Sequence, residues 1–188
     1  QNRERIYIVA FLNEKDASNF KMFDNIDEFK FVKDLQERQR EIQTILDYES
    51  DKNTLGKFYY TKEKFPKYFQ TEAEFEDISQ EVRKAERVNI EEEVTEMYTF
   101  YQIRRGMYIR KNKSGVCPTL TADMGMGGHN VPLIRVRDGI RKITPQEAFK
   151  LQGFPIGRGY ELPEKYKDKP YAVSHLYKQA GNSVSVPV

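Results

Sequence analysis

Apolar and polar positions along the first half of the chain follow two periods, and each period predicts a type of element. Residues 5–13, RIYIVAFLN, form a nearly continuous apolar run rich in β-branched and aromatic residues. This run predicts a strand buried on both faces. From residue 24 onward apolar side chains recur at helical spacing as far as Leu46. They predict an amphipathic packing helix capped by Asp24 or Asn25, with a break near residues 36–40.

Shorter periods dominate the second half. Residues 97–110, MYTFYQIRRGMYIR, alternate and predict two short strands joined by a tight turn at Gly106. Residues 131–143, VPLIRVRDGIRKI, predict a hairpin that turns at Asp138 and Gly139. Residues 115–122, GVCPTLTA, predict a further strand, edge or irregular because of its proline.

The aromatic and basic segment 55–69 and the glycine segment 123–130 allow more than one interpretation. The aromatic side chains of LGKFYYTKEKFPKYF predict a strand that contributes to the core, and stacking on nucleic-acid bases is the alternative. The glycines of DMGMGGHN predict a loop that permits positive φ and close approach of backbone to a ligand.

Two later segments carry helix signals. In residues 144–154, TPQEAFKLQGF, Thr144 predicts the N-cap, Glu147 completes a capping box, and Gly153 ends the helix. Residues 174–181 predict a second short helix that ends at its glycine. Residues 71–98 predict acidic helical structure.

Composition and charge distribution narrow the class of protein. The chain has 188 residues, a net charge of +2 and one cysteine, so neither a disulfide framework nor a cysteine-rich zinc site is expected, and we predict no metal site. Residues 71–98 carry ten acidic and three basic side chains, whereas residues 102–150 carry ten basic and three acidic ones. This separation indicates one surface that faces a polyanion, the alternative being two solvated faces that partly pair. The hydropathy pattern predicts neither a secretion signal nor a membrane span, which favours a cytoplasmic protein.

The residues themselves offer no evident catalytic machinery. No helix N-terminus next to Cys117 is available to lower its thiol pKa, so Cys117 is interpreted as a small buried apolar residue rather than a nucleophile. His129 could contact a phosphate or be a surface residue of its loop. Met124 and Met126 could wedge between bases or pack beneath the loop.

Four stretches in order resemble a known family. QNRERIYIV (1–9), RKITPQEAFKLQGFP (141–155) and GNSV (181–184), with YIRKNKSGVCPTLTADMGMGGHNVPLI (108–134) between them, resemble the late motifs and the target recognition domain of bacterial DNA (cytosine-5) methyltransferases. That family flips a cytosine out of the duplex, adds a cysteine thiolate to C6 and methylates C5 from S-adenosylmethionine. Residues 14–97 match the family only in their position between the motifs, not in their sequence.

The resemblance implies roles for residues at both ends of the chain. Arg5 is expected to hydrogen-bond the flipped cytosine and Arg3 to hold the catalytic loop or a phosphate, tasks that suit a permanently charged guanidinium. Asn182, Ser183 and Val184 are expected beside the methionine part of the cofactor. Arg141 leads its motif and is expected to be structural.

The resemblance also implies a DNA-reading surface in which arginine and glutamine contact base edges, and basic neighbours and a threonine contact phosphates. The expected DNA-binding residues are Gln102, Arg104, Arg105, Arg110, Lys111, Lys113, Thr119, Thr121, Asp123, Gly125, Gly127, Gly128 and His129.

Together these points predict an α+β fold: a small irregular DNA-recognition domain with returning strand and helix pieces of a doubly wound α/β S-adenosylmethionine-dependent methyltransferase domain. The expected divisions are residues 1–15 (end of the catalytic domain), 16–143 (target recognition domain) and 144–188 (return segment).

The expected function is the double-stranded-DNA recognition half of a bacterial restriction–modification cytosine-5 methyltransferase. The family's Pro-Cys nucleophile loop and glycine-rich cofactor loop have no counterpart in these 188 residues. The chain alone is therefore expected to be inactive without an N-terminal catalytic half, in the same polypeptide or a partner subunit. The alternatives are a stand-alone DNA-binding module and one subunit of a split methyltransferase.

Overall fold

The structure is a computed structural model, and it describes residues 10–21, 35–47, 55–79, 87–106, 108–113, 115–126 and 130–183. The helices are α1 (Glu14–Ser18), α2 (Leu35–Ile45), α3 (Glu72–Ser79), α4 (Ile90–Glu93), α5 (Pro145–Leu151) and α6 (Val173–Asn182). The strands are β1 (Phe100–Arg104), β2 (Tyr108–Lys111), β3 (Leu133–Val136), β4 (Gly139–Lys142), β5 (Lys165–Tyr166) and β6 (Lys169–Pro170). None of the helices in these ranges is both long and apolar enough to cross a membrane.

A four-stranded antiparallel sheet with the order β2-β1-β3-β4 forms the centre of the fold. Its two hairpins are those predicted from the sequence. The β1–β2 turn contains Arg105 and Gly106, both in the left-handed region at φ 54° and 71°. The β3–β4 loop consists of Arg137 and Asp138, and Gly139 already pairs with Val136 as the first residue of β4. The turn therefore lies one residue before its predicted position.

The sheet is covered on both faces at its centre, and the period of two along each strand explains how. Phe100 and Ile134 belong to one cluster of buried side chains, with α5, α6 and α2. Tyr101 and Leu133, the next residue in β1 and the preceding one in β3, belong to a second cluster built on the opposite face. Adjacent residues point to opposite faces, so each strand supplies both clusters.

The helix signals of residues 144–154 are confirmed. The Thr144 side chain accepts a hydrogen bond from the Glu147 backbone N–H, and the Glu147 carboxylate accepts one from the Thr144 N–H. Pro145 occupies the first turn and Gly153 has φ 87° just beyond the helix. The later helix, α6, runs one residue further than predicted, to Asn182.

Several predicted elements differ from the structure. Residues 115–122 form irregular chain rather than a strand, and residues 55–69 form two 3-10 turns, Gly56–Phe58 and Pro66–Tyr68, with isolated bridges. The latter segment nevertheless buries its aromatic side chains, because short helical turns can present them to one side as well as a strand can.

The N-terminal half differs too. Helix α2 continues through residues 36–40, where a break was predicted, and residues 10–13 carry no strand because Asn13 caps α1. Residues 5–9, 24 and 25, on which the rest of those two predictions depends, lie outside the described ranges. The fold is α+β, with a small antiparallel sheet and helices packed against it.

Candidate nucleic-acid interface

A groove with a volume of about 890 Å³ runs between the β1–β2 hairpin and the irregular segment 118–123. Its lining is rich in basic, amide and hydroxyl groups. The lining residues are Gln102, Arg104, Tyr108, Ile109, Arg110, Lys111, Asn112, Lys113, Pro118, Thr119, Thr121, Asp123 and Asn130. Eight of these are among the thirteen predicted DNA-binding residues, so the fold brings together two sequence segments that were singled out separately.

The hairpin wall owes its chemistry to strand alternation. In β1, Tyr101 and Ile103 are buried, whereas Gln102 and Arg104 are half-exposed. Gln102 lies opposite Arg110 in the register, and Arg104 lies opposite Tyr108. Cross-strand partners share a face, so an amide, two guanidiniums and a phenol project together toward the groove.

The opposite wall is not a strand, and its buried and exposed side chains alternate only at its end. Cys117 and Pro118 are both buried, whereas Thr119, Leu120 and Thr121 are half-exposed, buried and exposed in turn. Two backbone hydrogen bonds then tighten the segment into turns: Met124 N–H to Thr121 O at 3.0 Å and Met126 N–H to Asp123 O at 3.1 Å. Met124 is fully buried, so of the two roles considered for it the structure supports packing.

Helix α6 supports this wall from below through two glycines. A Cβ added to Gly181 would overlap the carbonyl oxygen of Thr121 and lie 2.8 Å from the Ala122 nitrogen. A Cβ on Gly125 would lie 2.7 Å from Cδ2 of Tyr177, and Gly125 has φ +80°. The Tyr177 hydroxyl in turn donates to the Ile143 carbonyl. The segment from Thr121 to Gly125 therefore rests directly on α6, with no room for a side chain at either contact.

The charge of the groove is predominantly positive. No carboxylate lies within 4.0 Å of Arg104, Arg110 or Lys113 in the part of the chain that the structure describes. Lys111 does pair with Glu96, and the hydrogen bond that its ammonium group donates to that carboxylate raises the pKa of Lys111. Three cations with no carboxylate partner among the described residues make a surface suited to phosphate oxygens.

A buried polar cluster of Arg141, Glu147, Thr144, Asp47 and Lys150 lies between α2 and α5. The Arg141 guanidinium donates to Glu147 Oε1 at 2.6 Å and Oε2 at 2.8 Å, and both side chains are almost fully buried. Burial acts to lower the pKa of Arg141, and the hydrogen bonds and charge of Glu147 outweigh it and raise that pKa. Asp47, just after α2, accepts from Thr144 Oγ1 and Lys150 Nζ, each at 2.7 Å, so the cluster ties α2 to α5. Arg141 is thus structural, as predicted.

The single thiol cannot serve as a nucleophile here. Cys117 is 2% exposed, and burial raises its pKa to about 12. A thiol with that pKa is almost entirely protonated at neutral pH, and the thiolate is the reactive form. The sequence-based interpretation of Cys117 as a buried apolar residue is confirmed.

The remaining predicted site residues do not line the groove in the described structure. Arg105 sits in the β1–β2 turn and is exposed, and Gly125 packs on Tyr177 beneath the wall. Asn182 is exposed at the last position of α6, and Ser183, half-buried, donates from Oγ to the Ala180 carbonyl at 2.8 Å. Arg3, Arg5, Gly127, Gly128, His129 and Val184 lie outside the described residues.

Sequence reasoning missed five residues that line the groove: Tyr108, Ile109, Asn112, Pro118 and Asn130. Tyr108 and Asn112 could have been found from the hairpin register, since Tyr108 faces Arg104 and Asn112 N–H bonds the Phe100 carbonyl at 2.9 Å. Pro118 and Asn130 had no such signal. Asn130 adopts φ 70° immediately after the glycine segment, a conformation that only the structure reveals.

Comparison with known proteins agrees with this chemistry. The family model of the C-5 cytosine-specific DNA methylase matches residues 1–188. The chain is 42% identical to Type II methyltransferase M.Bsp6I of Bacillus sp. (strain RFL6) over 188 residues, which is 100% of this chain and 47% of that relative. It is 28% identical over 187 residues to Type II methyltransferase M1.ScrFI of Lactococcus lactis subsp. cremoris, covering 100% of this chain and 37% of the relative.

A shorter match, 47% identical over 51 residues, links 27% of the chain to 12% of Type II methyltransferase M.HpaII of Haemophilus parainfluenzae. The chain spans about half the length, or less, of these curated relatives. No solved structure matches it. Because the family model extends over every residue, the chain belongs to the C-5 cytosine-specific DNA methylase family.

Proposed function

We propose that this chain is the DNA-recognition half of a restriction–modification cytosine-5 methyltransferase that methylates C5 of a flipped cytosine. The observation that carries the proposal is the groove, which gathers Gln102, Arg104 and Arg110 on one wall and Thr119 and Thr121 on the other. Arginine forks and glutamine amides can read base edges in a major groove, and hydroxyls and lysines can bind phosphates.

The rigidity of the walls supports the same function. Reading a base requires a side chain held in one geometry, and the hairpin wall is fixed by four paired positions from Tyr101 to Arg104. The other wall is held by the buried side chains of Leu120 and Met124 and by the contact with Gly181. Base discrimination of about 1–3 kcal/mol per bidentate pair is the expected result of such positioning.

The methyl donor proposed from the family is S-adenosylmethionine, and the described residues fit a part of its site. Asn182 presents an exposed amide with both donor and acceptor groups at the end of α6. Ser183 is fixed beside it by its hydrogen bonds to Ala180 and Gln179 carbonyls. These two residues, with Val184, would hold the methionine part of the cofactor, which supplies the methyl group.

The nucleophile of the reaction is proposed to lie outside this sequence, since the thiol of Cys117 is buried and protonated. Arg5 is proposed to hydrogen-bond the flipped cytosine and Arg3 to hold the catalytic loop or a phosphate. The proposal also includes double-stranded DNA as the partner and an N-terminal catalytic half. It keeps the expected division of the chain into residues 1–15, 16–143 and 144–188.

Bisulfite sequencing tests the proposal. Plasmid DNA is incubated with the native polypeptide that carries this chain and with S-adenosylmethionine, and cytosines protected within one short sequence are expected. Protection that appears only when a second chain is added would favour a split enzyme. Sequence-specific gel shifts with no protection would favour a stand-alone binding module, and neither protection nor specific binding would overturn the proposal.

Matched variants locate the reading surface. Arg110→Gln in the groove is expected to weaken specific DNA binding at least tenfold, whereas Arg137→Gln, an exposed arginine in the β3–β4 loop, is expected to have little effect. Arg5→Ala is expected to abolish methylation while DNA binding is largely kept. Equal losses from Arg110→Gln and Arg137→Gln would show that the groove is not where the duplex binds.

A further inference from the structure

A small hairpin precedes α6 and has no role in the site described above. Strands β5 and β6 are joined by a two-residue turn in which Lys167 and Asp168 both have positive φ, 48° and 62°. Two successive residues in this region form the turn type that matches the natural twist of paired strands. The hydrogen bond from Tyr171 N–H to the Glu164 carbonyl, at 2.7 Å, closes its base. The hairpin therefore has a defined shape.

One face of this hairpin concentrates an aromatic ring and two ammonium groups. Tyr166 is directly opposite Lys169 in the register, so the two side chains share a face. The Lys167 Nζ lies 5.3 Å from the centre of the Tyr166 ring, which is 62% exposed. No carboxylate lies within 4.0 Å of Lys165, Lys167 or Lys169 among the residues described.

The hairpin is attached to the helix that supports the recognition segment. The Tyr166 ring contacts Tyr171 edge-on at 6.4 Å between centroids, and Tyr171 contacts His175 of α6 at 6.2 Å. The Tyr171 hydroxyl also accepts a hydrogen bond from Gln179 Nε2 at 2.9 Å. At the other end of α6, Gly181 touches Thr121 of the groove wall.

The length of α6 sets the separation of the two surfaces. Gly181 lies nine residues after Ala172, the N-cap of α6, which corresponds to about 14 Å along the axis. Phosphates along one strand of duplex DNA repeat at about 3.4 Å, so this length corresponds to about four nucleotides. This distance lies within the length of a bound duplex.

We infer that the β5–β6 hairpin is a second DNA-contact surface, which binds the phosphate backbone outside the bases read by the groove. The inference rests on the proposed function. Lysine and tyrosine are phosphate-binding residues that position a protein on DNA without reading its sequence. The hairpin thus adds affinity and no base specificity.

Salt-dependent DNA binding by the native polypeptide tests the inference. The triple variant Lys165→Gln/Lys167→Gln/Lys169→Gln is compared with Lys15→Gln/Lys21→Gln/Lys57→Gln, which removes the same charge from exposed positions elsewhere. Dissociation constants are measured by fluorescence anisotropy on a 30-base-pair duplex with and without the methylated site, over a series of salt concentrations. The hairpin variant is expected to lower the slope of log K against log salt by about 2, since Lys167 and Lys169 lie on the Tyr166 face and each phosphate contact contributes about 0.9.

The two duplexes separate this inference from the proposed function. The three lysine substitutions in the hairpin should weaken binding to both duplexes by the same factor, so the ratio of the two affinities stays as in the unmodified protein. Replacing the three lysines by arginine should restore the slope. A slope equal to that of the control variant, or a reduced affinity ratio, would overturn the inference alone. Unmodified protein that does not distinguish the duplexes would contradict the proposed reading function, and absence of any binding would overturn both.

Discussion

Glu147→Gln is the substitution for which the structure gives the sharpest expectation. The Glu147 carboxylate is fully buried and accepts four hydrogen bonds: two from Arg141 and one each from the Thr144 and Asp47 backbone N–H groups, between 2.6 and 2.8 Å. Glutamine has nearly the same shape but carries no charge, and one of its terminal groups is a donor. The substitution therefore sets an NH₂ against groups that are themselves donors.

Two independent estimates give the same size of effect. Breaking a buried ion pair by removing one partner costs about 3–5 kcal/mol, because the other charge remains buried without compensation. Counted as hydrogen bonds, the loss of two charge-assisted bonds at about 1.5–3 kcal/mol each gives a similar figure. Nε of Arg141 already has no partner among the described residues, and the acceptor that the substitution leaves to the guanidinium is the Lys142 carbonyl, 3.1 Å from Nη1. We expect the free energy of opening of α5 to fall by about 4 kcal/mol.

Native-state hydrogen exchange of the α5 backbone amides measures this opening free energy within a larger polypeptide. A double-mutant cycle with Arg141→Met isolates the interaction between Arg141 and Glu147. The double variant should lower the opening free energy by at least about 2 kcal/mol less than the sum of the two single variants. The exposed Glu161→Gln is the control and should change the opening free energy by less than about 0.5 kcal/mol. A fall in the opening free energy of less than about 1 kcal/mol for Glu147→Gln, or strictly additive effects, would refute the view that the Arg141–Glu147 pair stabilises α5.

Three further substitutions or treatments test the groove and its support. Gly181→Ala must displace the Thr121 carbonyl and should weaken specific DNA binding at least tenfold in gel shifts. Gly56→Ala is the control, since Gly56 has open space around it, and it should leave binding unchanged. Equal affinities of the two variants would contradict the contact between Gly181 and Thr121. Gly125→Ala combines a clash with φ +80° and should lower the free energy of unfolding by about 1–3 kcal/mol in urea denaturation, so a neutral result would be inconsistent with the packed loop. Cys117, with its pKa raised to about 12, should react with a thiol reagent at pH 8 at least a hundredfold more slowly than in urea-unfolded protein, and fast labelling of the folded chain would show that it is not buried.

Local signals in the sequence were sufficient to predict those elements whose structure depends on a few neighbouring residues. The cap at Thr144 and the hairpin around Gly106 each depend on a few adjacent residues, and both were predicted. The strand assigned to residues 115–122 was wrong for the opposite reason. Its side chains alternate from Thr119 to Thr121, although Cys117 and Pro118 are both buried, and no strand among the described residues pairs with the segment. Alternation reports burial, whereas a strand also requires a hydrogen-bonding partner.

The site could be predicted only in part, because the groove is made by two segments whose proximity is a tertiary property. The family resemblance selected Arg104, Arg110 and Thr119 from the sequence. Nothing in the sequence indicated that Asn130 would join them, since its role follows from where the chain turns at φ 70°. The cluster of Asp47 with Thr144 likewise joins residues 97 positions apart, a separation that no local pattern reports.

The contact between Gly181 and Thr121 gives a physical reason for the glycine in GNSV. A glycine inside a helix weakens it by roughly 0.5–1 kcal/mol relative to alanine, so its presence needs a compensating contact. The overlap that a Cβ would make with the Thr121 carbonyl supplies that reason: the helix and the groove wall touch backbone to backbone. Asn182, the next residue, is one of those proposed to hold the cofactor. A displacement of the Thr121 segment by bound DNA therefore acts directly on the part of α6 that carries Asn182, and we expect DNA binding and cofactor binding to be coupled at this point.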